Sequence, residues 1–238
     1  MKKHFFFDMD KTIAPSRQPI LPEMYELLTT SSVDVVIVSG QTVPLIAWQS
    51  NNLPAYRLGQ NGNHAVDPEG VELWHTPLEQ HHRDQILDHI NEVIEILDHE
   101  LNHDWSPIED RGAQITFSPI GNTAPVDVKA TYDPDRKKRD HLLATIPFAS
   151  EDLVVKIGGS TSLDYLHKDR QKGNNVRKFI ELLDWNEEDC VYYGDGLYPG
   201  GNDESVIGVI DTVFVEDHLD CYQKLQAYFK TLPPTTSA

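Results

Sequence analysis

Hydrophobic positions along the chain fall into short apolar runs that end in polar or charged residues and alternate with stretches of helical spacing. The first run, HFFF at residues 4–7, passes directly into Asp8 and Asp10, and Thr12 closes the turn. An apolar run bounded by charge predicts a strand buried on both faces, as in a parallel sheet. Residues 22–32 open on a first-turn proline and carry helical spacing at Met24, Leu27 and Leu28. Residues 33–40, VDVVIVSG, predict a second strand ending in Ser39 and Gly40, and TVPLIAWQ a following helix. Asn61-Gly62 marks a turn ahead of strand-like pieces reaching Trp74. Residues 76–104 change character, with helical periodicity at Ile86, Ile90, Val93, Ile94 and Leu97. Strand signals at 113–119, a helix around 135–145, and strands at 153–157 and 162–166 come next. The βα alternation resumes with a helix from Lys172, a buried strand in DCVYYGDG, a glycine-rich loop leading to a helix, a strand at 212–217 and a helix over about 219–230. Residues 233–238 read as a disordered polar tail.

This rhythm predicts an α/β fold: a core with a central parallel sheet from residues 1–78 and 169–238, interrupted by an α+β domain at 79–168 that acts as a lid. The 238 residues suffice for two modest cores. Asp and Glu number 38 against 20 Lys and Arg, a formal net charge of −18, which argues against nucleic acid or an anionic membrane surface as partner. An anionic substrate would then need a local positive focus. No apolar run approaches the ~20 residues of a membrane span, and the N-terminal run is too short for a signal sequence. Cys190 and Cys221 offer neither a disulfide framework nor metal-ligand spacing, so a reduced, cytoplasmic setting is expected.

The candidate chemistry gathers at strand ends. Asp8 and Asp10 at the tip of the opening strand repel each other unless a cation relieves them, and a hard ion such as Mg²⁺ would do so while attracting phosphate. Asp8 can then serve as a nucleophile, because a carboxylate can carry a phosphoryl group. Ser39 and Thr42 fit either a phosphate site at a helix start or ordinary helix capping. His81, His82, His99 and His103 lack a third ligand at metal spacing and read as solvated helix residues.

Asp8/Asp10/Thr12, Ser39-Gly40, Lys172, and Gly194-Asp195 with Asn202-Asp203 occur in the order that resembles the haloacid dehalogenase (HAD) superfamily, across the whole chain. The resemblance implies a Rossmann-like core with an inserted cap. It makes Asp8 the nucleophile, Asp10 the general acid/base, and Ser39, Gly40, Thr12 and Lys172 the phosphoryl-holding groups. Asp8, Asp10 through its carbonyl, Asp195 and Asp203 become the Mg²⁺ site. FDMDKTIAPSRQPI, DRGAQITFSPIG, GGSTSLDYLHKDRQKG and GDGLYPGGNDES are closer still to the eukaryotic-type phosphomannomutase branch. That likeness places Arg17, Arg111, Ser162 and Asp164 against a phosphosugar and suggests a homodimer.

One departure bears on the reaction. The mutase motif ends SPIGR, whereas this chain has SPIGN, with Asn122 at the position of an arginine that grips a distal phosphate. Losing such a charged partner removes ~2–5 kcal/mol of contact energy. The expectation is therefore an Mg²⁺-dependent phosphatase of a phosphorylated sugar or similar small polyol. The alternatives are a mutase that holds its second phosphate with Arg111, Arg136, Lys137, Lys138 or Arg139, and a non-catalytic sugar-phosphate binder. The run RKKR is expected on an exposed helix face.

Overall fold

The computed structural model describes residues 1–97, 101 and 104–231. His99, His103 and the 233–238 tail lie outside the described residues.

In chain order the elements are β1 (His4–Phe7), α1 (Pro22–Thr30), β2 (Asp34–Val38), α2 (Val43–Gln49), β3 (Tyr56–Gly59), β4 (His64–Val66) and β5 (Glu72–His75). There follow α3 (Gln80–Leu97), β6 (Ile108–Asp110), β7 (Gln114–Phe117), α4 (Val126–Tyr132), α5 (Lys137–Thr145), β8 (Leu153–Gly158) and β9 (Ser162–His167). The chain closes with α6 (Lys172–Leu182), β10 (Cys190–Gly194), β11 (Asp211–Phe214) and α7 (His218–Lys230). The chain divides into two compact units: Met1–His75 with Lys172–Pro199 and the segment from Asp203 onward, and Thr76–Gln171 with Gly200–Asn202.

The first unit is built on a seven-stranded sheet in the order β11-β10-β1-β2-β3-β4-β5. β1 lies between β2 and β10, parallel to both. Phe5, Phe6 and Phe7 are fully buried, as expected of a strand covered on both faces. Phe5 and Phe7 face Met24 and Leu28 of α1, Ile46 of α2, and Cys221 and Leu225 of α7. Phe6 points the other way, toward Val176, Phe179 and Ile180 of α6. Sequence order runs outward from β1 to β5 and then restarts at β10 on the opposite side, so the topological switch falls at the carboxyl end of β1. β4 and β5 extend the sheet antiparallel. The turn before β4 needs three successive left-handed residues, Gln60, Asn61 and Gly62, with φ of 54°, 59° and 88°. Only Gly62 takes that conformation freely, and a Cβ there would strike the Asn175 side chain.

The second unit carries a four-stranded antiparallel sheet, β6-β7-β9-β8. Ile115, Phe117, Leu163 and Tyr165 project from one face and pack with Ile86, Ile90 and Val93 of α3 and Leu142 of α5. The alternate residues, Thr116, Ser162 and Asp164, fall on the other face, with Thr116 directly opposite Asp164. β6 escapes the hydrophobic pattern because it is only three residues long, and α4 because it exposes Val126 and Val128 while burying Lys129.

Arg139 overturns the exposed-face expectation for RKKR. It is buried, its guanidinium donates to Asp133 at 2.7 Å and to the Gly158 carbonyl at 2.8 Å, and it knits α5 to the β8–β9 turn. Lys137 and Lys138 are exposed as expected. His82 is likewise buried rather than solvated, and among the described residues neither of its ring nitrogens has a hydrogen-bond partner. Cys190 and Cys221 are free and buried.

Candidate active site

Parallel pairing aligns the strand ends. Phe7 is in register with Ile37 and with Tyr193, so Asp8 emerges beside the end of β2, which leads to Ser39, and the end of β10, which leads to Asp195. The Asp8 N–H donates to the Tyr193 carbonyl at 3.0 Å and continues the ladder one residue past the strand. Helix α6 begins at Lys172, whose ammonium reaches Asp8 Oδ1 at 2.5 Å and Asp203 Oδ1 at 2.7 Å. Asp8, Lys172 and Asp203 are 4%, 1% and 0% exposed, so these charges have left water almost entirely. Charges buried to this degree persist only when paired and hydrogen-bonded.

The pairing is incomplete in charge. Asp8, Asp195 and Asp203 can bring carboxylate oxygens within 4.8 Å of one another, and Lys172 supplies a single ammonium among them. Burial holds the Asp8 carboxyl well above the ordinary aspartate range, and Asp203 and Asp195 add to it while Lys172 opposes. Burial, reinforced by Asp203, pushes Asp195 up to about 6. Burial works against the Lys172 charge, but Asp203 and Asp8 outweigh it and raise its pKa. A surplus of buried negative charge on hard oxygen donors fits a divalent cation of the Mg²⁺ type.

Asp203 is the most constrained of the three. Its Oδ1 also accepts from the Tyr192 hydroxyl at 2.7 Å, and its Oδ2 accepts from the Gly196 N–H at 3.1 Å. Its geometry suits orienting the cluster more than surrendering an oxygen to a metal.

Asp10 is held apart from this cluster. Its carboxylate accepts from the Arg17 N–H at 2.6 Å, Gln49 Nε2 at 2.8 Å and Gln41 Nε2 at 2.8 Å. Gln41 also donates to Gln49 Oε1 at 2.8 Å, so the two amides form a linked cradle. Arg17 itself takes a left-handed φ of 54°. Neither Gln41 nor Gln49 is marked by any motif in the sequence. The one signal available was Gln49, a polar residue closing the apolar run of α2, and no spacing tied it to Asp10.

Thr12 is fully buried, and no hydrogen-bond partner of its hydroxyl is found among the described residues. Ser39 is buried, its Oγ accepting from the Gln41 N–H at 3.2 Å; Gly40 is half-buried beside it. Thr42 occupies the N-cap of α2 without a side-chain capping bond.

In the second unit, the Asp164 carboxylate accepts from the Thr116 hydroxyl at 2.8 Å. Burial raises its pKa against the pull of Arg111. Arg111 pairs with Glu109 at 2.7 Å, and the Ser162 hydroxyl donates to the Gly158 carbonyl at 2.9 Å. The Asn122 amide nitrogen donates to the carbonyls of Pro107 at 2.9 Å and Thr116 at 3.3 Å, bracing the chain after β7.

An opening-strand carboxylate paired to a buried lysine, beside two further aspartates at a parallel-sheet switch point, is the arrangement that the resemblance to the haloacid dehalogenase superfamily implies. Solved structures agree in fold. A haloacid dehalogenase-like hydrolase from B. subtilis superposes with a TM-score of 0.68 at 14% identity, covering 94% of this chain and 99% of its own. A phosphatase of the same superfamily from Bacteroides thetaiotaomicron gives a TM-score of 0.64 at 12% identity, with 96% of each chain covered. The chain has the haloacid dehalogenase phosphatase and phosphotransferase fold, and it is an enzyme. In sequence it is similar to phosphomannomutase of Solanum lycopersicum, 27% identical over 217 residues (84% of this chain, 82% of the relative). Phosphomannomutase 1 of Homo sapiens is 26% identical over 224 residues, covering 87% and 84%. No protein-family profile matches the chain. Among the described residues no helix is long and apolar enough to cross a membrane.

Proposed function

We propose that this enzyme is an Mg²⁺-dependent phosphatase of phosphorylated sugars or similar small phosphomonoesters, working through an aspartyl-phosphate. The observation that carries the reading is the separation of two carboxylates at one strand end: Asp8 lies buried with Lys172 among the acidic residues, and Asp10 lies in an amide cradle. An Asp8 oxygen attacks phosphorus as the ester P–O bond breaks, and Asp10 gives its proton to the departing alkoxide. Water then attacks the phosphorus of the acyl phosphate, the Asp10 carboxylate takes the water's proton, and inorganic phosphate leaves with Asp8 restored. Lys172, Ser39, Gly40 and Thr12 surround the transferring phosphoryl and offset its charge. Bound Mg²⁺, held by Asp8, Asp195 and the Asp10 carbonyl with Asp203 in support, would neutralise the phosphoryl oxygens and the nucleophile. Within the second unit, the polar face bearing Asp164 and Ser162, with Arg111 and Asn122, offers candidate substrate contacts, and within the first unit Arg17 is a candidate.

Similarity to phosphomannomutases favours a second reading, a phosphosugar mutase. Two features support hydrolysis over rearrangement. Asn122 stands at the position of the mutase arginine and uses its amide nitrogen on two backbone carbonyls. Arg139, a candidate for a second phosphate, is taken up by Asp133 and the β8–β9 turn.

The deciding experiment measures phosphate release from a panel of sugar monophosphates with Mg²⁺ or EDTA, and with or without a sugar bisphosphate. Mg²⁺-dependent release that bisphosphate does not stimulate is expected. Bisphosphate-activated isomerisation without net release would establish the mutase instead. Asp8→Asn should lower turnover by about three orders of magnitude or more, and undiminished turnover in that variant would refute the mechanism.

A further inference from the structure

We infer that His64, Glu72 and His75 form a second metal site, for a borderline-soft divalent ion of the Zn²⁺ or Ni²⁺ class, on the β4–β5 hairpin at the edge of the first unit's sheet. The two histidines are direct cross-strand partners, and their rings stack with centroids 4.4 Å apart. Cross-strand partners project on one face of a sheet. Glu72 reaches that face through an irregularity: the register shifts between Ala65 and Val66, so Val66 pairs with Glu72 where a regular ladder would bring Leu73. A bulge re-aims one side chain in this way.

The donor atoms are near coordination spacing. His64 Nε2 and Glu72 Oε2 are 3.1 Å apart, and one ligand atom from each of the three residues falls within 4.8 Å of the others. Donors on a tetrahedral zinc ion lie about 3.3 Å apart, given ~2.0–2.1 Å metal–ligand bonds. The pair already meets that separation, and the third donor, on the exposed His75, can close the remaining distance by side-chain rotation. Two imidazoles and one carboxylate favour a transition metal, whereas Mg²⁺ prefers oxygen alone. The site leaves coordination positions to water. His75 ends the first of the segments that make up the first unit, so a bound ion would clamp the strand end at which the chain leaves that unit.

The test is calorimetric titration of Zn²⁺ into the full chain with excess Mg²⁺ present to occupy the acidic cluster. One equivalent is expected, weakened about tenfold or more by His75→Gln and abolished by the double variant His64→Ala/His75→Ala. Asp8→Asn should leave it unchanged, which separates this site from the phosphoryl chemistry. His75 is exposed, so His75→Gln keeps the fold, which an unshifted thermal transition without zinc verifies. Broadening of the His64 and His75 imidazole resonances by Ni²⁺ gives a readout independent of heat. No binding to the native chain, or undiminished binding to either histidine variant, would overturn the site.

Discussion

At the residue scale, the two aspartates of one short motif are made chemically different by what surrounds them. Asp8 and Asp10 are two positions apart and alike in sequence, yet one is paired to a buried ammonium and the other to two amides and an N–H. The amide cradle gives Asp10 a fixed orientation, which a group delivering a proton along one trajectory requires. Gln49→Ala removes one carboxylate donor and the acceptor that positions Gln41. It should lower kcat about 10- to 100-fold while KM changes less than about twofold. Steady-state kinetics across pH would check this; an unchanged kcat would remove Gln49 from the positioning of Asp10.

At the element scale, α5 and the β8–β9 turn are held by one buried pair. Burial by itself raises the Asp133 pKa, but the hydrogen bond from Arg139 and those from the Lys138 and Arg139 N–H groups overcome it and hold the carboxyl below the ordinary aspartate range. A lowered carboxyl contributes stability above the unfolded-state pKa and loses it as pH falls through the folded-state value. Arg139→Ala strands Asp133 without its partner and should cost about 3–5 kcal/mol, read by urea unfolding. That loss should shrink below the ordinary aspartate range, and an equal loss at every pH would contradict the assignment.

Gly158 has a different task in the same turn. A Cβ there would collide with Asp164 Oδ2, the far end of a side chain that can rotate. Gly158→Ala should therefore displace the carboxylate rather than the backbone. KM is expected to rise several-fold with stability nearly kept; a lost fold with unaltered KM would show Gly158 to be purely structural.

At the scale of the whole molecule, the formal charge of −18 and the buried acidic cluster bear directly on the proposed cation. Asp195, raised to about 6, favours its neutral form in the fold. Its contribution is fully present below the unfolded value near 4 and is lost as pH rises through about 6. Above that, Mg²⁺ bound at the proposed site would relieve the repulsion. The melting temperature should rise with Mg²⁺ at neutral pH, and the rise should shrink toward pH 5 as protons replace the metal. A melting gap between Mg²⁺ and EDTA that is constant across this range would argue against the carboxylates as the ligands.

The strand tips were legible because Phe5, Phe6 and Phe7 can be satisfied only between two neighbours, which places Asp8 at the end of a central strand. Asp195 stood out as the carboxylate closing a buried strand, whereas Lys172, unremarkable by itself at a helix start, was marked only by the resemblance of the ordered motifs to the haloacid dehalogenase superfamily. Local order along one chain therefore settled the α/β core and which side chains stand at its strand ends. Only the folded arrangement revealed that Gln41 and Gln49 cradle Asp10, that Arg139 is buried, and that a bulge sets Glu72 beside two histidines. The reason is physical. Hydrophobic periodicity reports which face of an element is covered, whereas the partner of a polar side chain depends on contacts between segments far apart in the chain, and no local pattern carries that information.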